Sequence, residues 1–350
     1  MKQRIIDRIS ASGPMYFDTF MDMCLYDPSD GYFSTGKVRS GTGADFVTSP
    51  ELTSLFGVLV GTWAATAQVR TSPILVEVGA GSGALLEELA PRWFDDERDV
   101  YAVEVSTVAR AYITRTLPGV NVVASFDDLP RGTDAVVVAN EVLDNLPAAL
   151  ARRTDAGWME IAVAASGGEL ELVDVQARPD VVAWCVEVFD TVAEGAVVTV
   201  QLAARSFLEG VLKRFDHVSM CIIDYGASAS ELAGRDPASI VRTYRKHRSG
   251  HDWLVHPSET DITVDVNTTA IELAARSLGA SVSTTNQREF LIDHGIGGLI
   301  DNALAMEQRY ASSGQIMRQL ESRSERIDLE ALIDPDGLGG FVVLIIESGT

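Results

Sequence analysis

The chain has 350 residues, 46% of them hydrophobic, and 50 acidic side chains against 28 basic ones leave a formal net charge of −22. That length can bury a substantial core and is long for one compact domain, so one main domain with additions is expected. The acid excess opposes phosphate-backbone binding over most of the surface and argues against a nucleic-acid partner.

Residues 1–70 read as an N-terminal helical cap or lid. They open on an alternation of charged and apolar residues instead of a signal-peptide core, and no run in the chain approaches the about 18 apolar residues of a membrane span, so a cytoplasmic protein is expected. Residues 31–50 are a loop rich in Gly, Ser and Thr. At its end Thr48, Ser49, Pro50 and Glu51 are either a lid that keeps water from a site or a structural loop. Residues 54–69 have helical periodicity, with Leu55, Val58, Leu59 and Trp63 on one side.

The next segment carries the chemistry. Residues 74–78 are a strand of buried type with Glu77 near its end, running into Gly79, Gly81 and Gly83 and an amphipathic helix. Glycines at such a turn let a ligand press against backbone N–H groups at a helix N-terminus. Two patterns fit. Gly79, Gly81 and Ala84 satisfy the dinucleotide fingerprint, whereas Glu77 with three alternate glycines satisfies the E-x-G-x-G-x-G of S-adenosylmethionine enzymes. The carboxylate favours the second reading, because it can meet a cationic amine and sits poorly beside a pyrophosphate.

Residues 99–104 read as the second strand, ending in Glu104 about 20 residues past the glycines, where a carboxylate accepts from both ribose hydroxyls. Residues 120–124 are a third strand. Asp127 and Asp128 follow it, either as acceptors from an adenine amino group or as solvated turn acids. Residues 135–139 are a fourth strand, apolar throughout as a strand covered on both faces should be. It delivers Asn140, Glu141 and Asp144 to the carboxyl edge of the sheet. Asn140 is read as a cofactor contact or a turn former. Glu141 and Asp144 are candidates for paired carboxylates that hold a guanidinium fork, with helix capping as the alternative role for Asp144.

The alternation over 73–150 calls for right-handed parallel crossovers. Residues 157–175 then look like an inserted hairpin, residues 203–215 a helix, and residues 219–224 a fifth strand ending in Asp224 and Tyr225, which are expected to complete the acceptor pocket. Residues 227–265 lack periodicity and hold the most basic patch of the chain, from Arg242 to Arg248. They are a solvated loop or a substrate-side insertion, with Tyr244 and His247 as its candidate contacts. A helix over 266–278, a strand over 280–285, a helix over 302–325 and a final apolar strand over 341–346 follow. Residues 71–226 and 266–350 would thus form the core. Cys24, Cys185 and Cys221 are expected as reduced buried thiols, and the five histidines lack ligand spacing, which argues against a catalytic metal.

Specific blocks then line up in register. Phe20-Met21 with Leu25-Tyr26-Asp27-Pro28 and Gly31-Tyr32-Phe33, Asp45 to Glu51 with Phe56-Gly57, Glu77 to Gly83, Asn140-Glu141 with Asp144 and Pro147, Ile223-Asp224-Tyr225-Gly226 and the later Gln287 with Phe290-Leu291 together resemble the MidA-like methyltransferases. That family includes the mitochondrial complex I assembly methyltransferase. The resemblance implies a class I methyltransferase fold, an α/β Rossmann-like sheet that is mostly parallel with an antiparallel last strand. It also implies S-adenosyl-L-methionine as methyl donor and, for the mitochondrial member, protein arginine methylation. Ala80, Ser82 and Ala84 stand where the family commonly has proline, arginine and threonine, and Val58 where an acid often follows Phe-Gly. The acceptor is expected to be an arginine of a protein, with a small-molecule acceptor or a cofactor-binding assembly factor of little turnover as alternatives. A homodimer would require the acidic surface to be interrupted where two copies meet.

Overall fold

A computed structural model describes residues 1–34, 48–67, 72–245, 248–250 and 253–349. Its centre is a seven-stranded sheet built from β1 (Ile74–Val78), β2 (Val100–Val103), β3 (Asn121–Val123), β4 (Asp134–Asn140), β5 (His217–Asp224), β6 (Ser281–Asn286) and β7 (Val342–Ser348) in the order β6-β7-β5-β4-β1-β2-β3. The first five strands are mutually parallel, and β7 runs antiparallel to both β5 and β6. Residues 135–139 of β4 show why the middle of a central strand can be apolar throughout. Val136 and Val138 enter the core on one face of the sheet, Ala135, Val137 and Ala139 the core on the other, and all five are fully buried. Each buried valine contributes roughly 1.5–3 kcal/mol.

Strand order reverses between β1 and β4, whose residues pair directly, Val78 opposite Ala139. Open α/β sheets hold ligands in the crevice beyond the carboxyl ends of the strands at such a point. The helix after β1, Ala84–Asp95, starts at Gly83 in the left-handed conformation (φ 80°), so its free N-terminal amides face that crevice.

The additions to the sheet share a core of their own. Ala149–Thr154, Gly157–Ser166, Glu169–Gln176 and Val197–Val200 form an antiparallel sheet, to which the two-residue strand Met15–Tyr16 adds. Phe17, Phe20 and Leu25 from the N-terminal helix Phe17–Tyr26 pack with Leu150, Ile161 and Val163 of this sheet and with Trp253, Ile262 and Val264. The N-terminal cap, the inserted hairpin and the segment before residue 265 therefore close over one apolar centre. Within residues 227–265, where periodicity is lacking, the chain forms the short helix Ala229–Ala233 and the strands Val241–Arg245, Arg248–Gly250 and Asp261–Val264. The helix expected over 302–325 is instead two, Ile296–Ser312 and Ile316–Leu332. They are separated at Gly314, whose φ of 71° a helix cannot accommodate.

One ion pair ties these layers together. Glu160 is fully buried, and its carboxylate accepts from the backbone N–H and guanidinium of Arg178, which also reaches Asp18 on the N-terminal helix. Arg178→Ala strands that carboxylate without a counter-charge. We expect a loss of about 3 kcal/mol of stability, read from urea unfolding.

Candidate active site

A cavity of about 140 Å³ lies at the carboxyl ends of β1, β2 and β4. Gly79, with φ 69°, carries the chain over the end of β1, and a side chain there would meet Val142 Cγ2 at 2.8 Å. Gly81 (φ 53°) offers its amide to Glu104 Oε2 at 2.8 Å, while Ser106 N–H donates to Glu104 Oε1 at 2.7 Å. Glu104 thus braces the glycine turn and still lines the cavity. Glu77 lines it too, 5% exposed. The Leu86 amide donates to its carboxylate, and its Oε2 is enclosed with no hydrogen-bond partner among the described residues. Burial, reinforced by the Glu104 charge, pushes Glu77 well above the usual carboxylate range. An orphaned buried carboxylate oxygen beside a bare glycine turn fits a cofactor that brings a cationic amine.

The opposite wall comes from the end of β4. Asn140 Nδ2 donates to Glu141 Oε1 at 3.3 Å, and Glu141 N–H donates to Ile223 O of β5 at 2.8 Å. Glu141 has φ 51°, a left-handed backbone that costs a non-glycine residue energy and that surrounding structure must hold in place. Desolvation, with Asp224 nearby, pushes its carboxyl up to about 8, although the Asn140 side chain and the Ser49 amide pull the other way.

The third wall is the covering segment. Thr48, Pro50 and Glu51 line the cavity from the short turn Ser49–Leu52. Ser82 Oγ donates to Glu51 Oε1 at 3.0 Å, and Ser49 Oγ donates to Gln287 Oε1 at 3.3 Å, so the turn is pinned both to the glycine loop and to the C-terminal part. Ser49 itself is fully buried and does not reach the cavity.

Several expected residues sit elsewhere. Asp144 is 3% exposed in the 3₁₀ turn Leu143–Asn145, behind the cavity wall and near Asp224 and Asp261. It begins no α-helix, and burial keeps its carboxyl well above the usual range. Asp224 is fully buried and uses Oδ2 to accept the amides of Val142, Leu143 and Asp144, at 3.2, 2.8 and 3.3 Å. It is therefore the brace of the loop that carries Glu141 and not a wall of the acceptor pocket. Tyr225 faces a different cleft, with its ring 4.2 Å from Phe341 and the Arg242 guanidinium 5.3 Å above it. Asp128 closes a capping box with Ser125, and Asp127 is exposed within 3.7 Å of Arg214. Neither aspartate lines the cavity, because the turn after β3 is held away by Arg214 donating to the carbonyls of Asp127 and Pro130. Gly83 caps the helix instead of touching the cavity. Of Tyr244 only the backbone, in Val241–Arg245, is described, and His247 lies outside the described residues.

Tyr26, Phe33 and Asn145 also line the cavity and were not singled out by sequence. Tyr26 stacks on Phe33 at 5.7 Å and donates to Asn145 O at 3.1 Å, so the N-terminal helix grips the loop after β4 directly. Tyr26 stands in the Leu25-Tyr26-Asp27-Pro28 block, whose pattern marks a specific position without saying what the ring faces.

Comparison with known proteins agrees with this geometry. Residues 56–285 match the model of a family described as S-adenosyl-L-methionine-dependent methyltransferases. The chain is similar to the protein arginine methyltransferase NDUFAF7 homolog, mitochondrial, of Caenorhabditis elegans, at 28% identity over 344 residues that cover 85% of this chain and 76% of that one. Human protein arginine methyltransferase NDUFAF7, mitochondrial, is 24% identical over 398 residues, 97% of this chain and 85% of its own. A crystal structure from Burkholderia thailandensis with S-adenosyl-homocysteine bound is similar with a TM-score of 0.83 at 26% identity, covering 99% of this chain and 91% of that one. The cavity at the β1–β4 reversal thus lies in a fold shared over nearly its whole length with a protein that binds the demethylated donor, and the chain belongs to this family of S-adenosyl-L-methionine-dependent methyltransferases.

Proposed function

We propose that the methyl acceptor is the guanidinium of a protein arginine. The observation that carries this reading is the charge of the cavity wall. Glu51, Glu77, Glu104 and Glu141 line it, and no described lining residue is Lys or Arg. The names of the curated relatives, protein arginine methyltransferases, support it.

Bound S-adenosylmethionine supplies an electrophilic methyl group on a sulfonium, and transfer leaves a neutral thioether. Glu77, at the end of β1, is the partner for the donor's amine, and Glu104, at the end of β2, for its ribose hydroxyls. Glu141 stands at the end of the neighbouring β4, where its carboxylate can take two N–H bonds from a guanidinium and fix it in plane. The nitrogen that forms the new C–N bond must give up a proton, and a carboxyl held near 8 is, once ionised, a stronger acceptor for that proton than an ordinary glutamate. Tyr26, Phe33 and Pro50 wall out water that would compete for the methyl group.

Two measurements test the reading. Calorimetry should show binding of S-adenosylmethionine and none of NAD. Incubation of the protein with the methyl-labelled donor and cell extract should then put label into protein, recovered as methylarginine after acid hydrolysis. Label in a small metabolite would overturn the arginine assignment, and donor binding without any labelled product would make the protein an assembly factor.

A further inference from the structure

Resting on that reading, we propose that Glu51 is the second carboxylate of the acceptor clamp, opposite Glu141, and that Ser82 sets it in place. A guanidinium carries one charge over three nitrogens and is held in plane best by carboxylates on two of its edges. The pairing expected from sequence, Glu141 with Asp144, is not available, since Asp144 lies behind the wall among Asp224 and Asp261. Glu51 lines the cavity on the side of the covering turn. Its Oε1 is fixed by the Ser82 hydroxyl at 3.0 Å, while its Oε2 is enclosed and has no hydrogen-bond partner among the described residues. Glu51 and Glu141 line the same cavity.

The charges divide accordingly. Glu77 and Glu104 flank the glycine turn, on the donor's side, Glu77 at the end of the strand that enters it and Glu104 bonded to the Gly81 amide. Glu51 and Glu141 remain as a second pair with nothing basic beside them in the described lining. Two ionised carboxylates that share a desolvated cavity repel each other until a cation enters. An arginine at position 82 would reach Glu51 as a charge partner, whereas the Ser82 hydroxyl orients the carboxylate and leaves its charge free for the acceptor.

The test uses the full chain saturated with S-adenosyl-homocysteine and methylguanidinium as probe, with binding followed by NMR and by calorimetry. Wild type should bind methylguanidinium. Glu51→Gln should keep its S-adenosyl-homocysteine affinity within about threefold and lose at least tenfold in methylguanidinium affinity, and Ser82→Ala should lose several-fold with the same retention. Affinity for S-adenosyl-homocysteine doubles as the check on folding in both variants. Unchanged methylguanidinium binding in Glu51→Gln, or a parallel loss of S-adenosyl-homocysteine that places Glu51 on the donor side, overturns the clamp while leaving the arginine reading intact. Failure of the wild-type complex to bind the probe overturns both.

Discussion

Glu141→Gln should lower methyl incorporation by about 10²–10⁴-fold, the range that a positioned proton acceptor supplies, while S-adenosylmethionine affinity stays within about threefold. The substitution keeps the size of the side chain and its capacity to accept one hydrogen bond, and with the acceptor proposed above it removes both the charge that would draw the guanidinium and the site that would take its proton. Because Glu141 must be ionised to act, kcat/KM for the acceptor in the wild type should rise with pH and level off near 8, the value to which burial pushes this carboxyl. The residual rate of the variant should lack that inflection. Wild-type turnover in Glu141→Gln would remove the residue from the chemistry, and a loss of donor affinity of equal size would move it to the cofactor side. The left-handed backbone at Glu141, held by its amide to Ile223 O, fixes the side chain's origin in either form, so the comparison reads charge and not position.

What the sequence made legible follows from local physics. β4 announces itself because residues 135–139, covered on both faces, are all apolar, and the Glu77 to Gly83 turn because glycine adopts the φ values of 69°, 53° and 80° found there without the cost that a side chain brings. The break at Gly314 is also written locally, in Ser312-Ser313-Gly314, a turn signal that outweighs the helical periodicity on either side of it.

The misplaced site residues have a different origin. Asp144 and Asp224 both follow strands at the ligand edge, and residue type alone does not tell a carboxylate that faces a cavity from one that faces three backbone amides. Glu51 is expected on the covering segment, but its tie to Ser82 across 31 residues, like that of Tyr26 to Asn145 across 119, is a tertiary contact. No periodicity records such contacts. The two-residue strand Met15–Tyr16 likewise has meaning only through its pairing with Val163 and Ala162.

Stability should fall as pH rises from about 6 to 9, the reverse of what carboxylate-rich surfaces commonly give. Glu77, Glu104, Glu141, Asp144 and Asp224 all hold their protons above the ordinary carboxylate range because burial disfavours the charged form, Asp224 to about 7 and Glu141 to about 8. In each case the folded state binds protons that the unfolded chain has already released, so the slope of unfolding free energy with pH is negative between the two values. That contribution is complete below about pH 4 and is lost as pH passes through the folded values. Opposing groups, such as Asp27 held down to about 2 by Arg4, lose their contribution only in acid, so the summed effect of these groups peaks near pH 4 and falls on either side. A shift of one unit corresponds to about 1.4 kcal/mol, so the decline to pH 9 should amount to a few kcal/mol and several degrees in Tm. Asp144→Asn, which removes one buried titrating group outside the cavity, should flatten the curve by raising Tm more at pH 9 than at pH 5. A Tm that is level or rising between pH 6 and 9 would show that these carboxylates are already ionised in the folded protein, and the proton-accepting role of Glu141 would lose its physical basis.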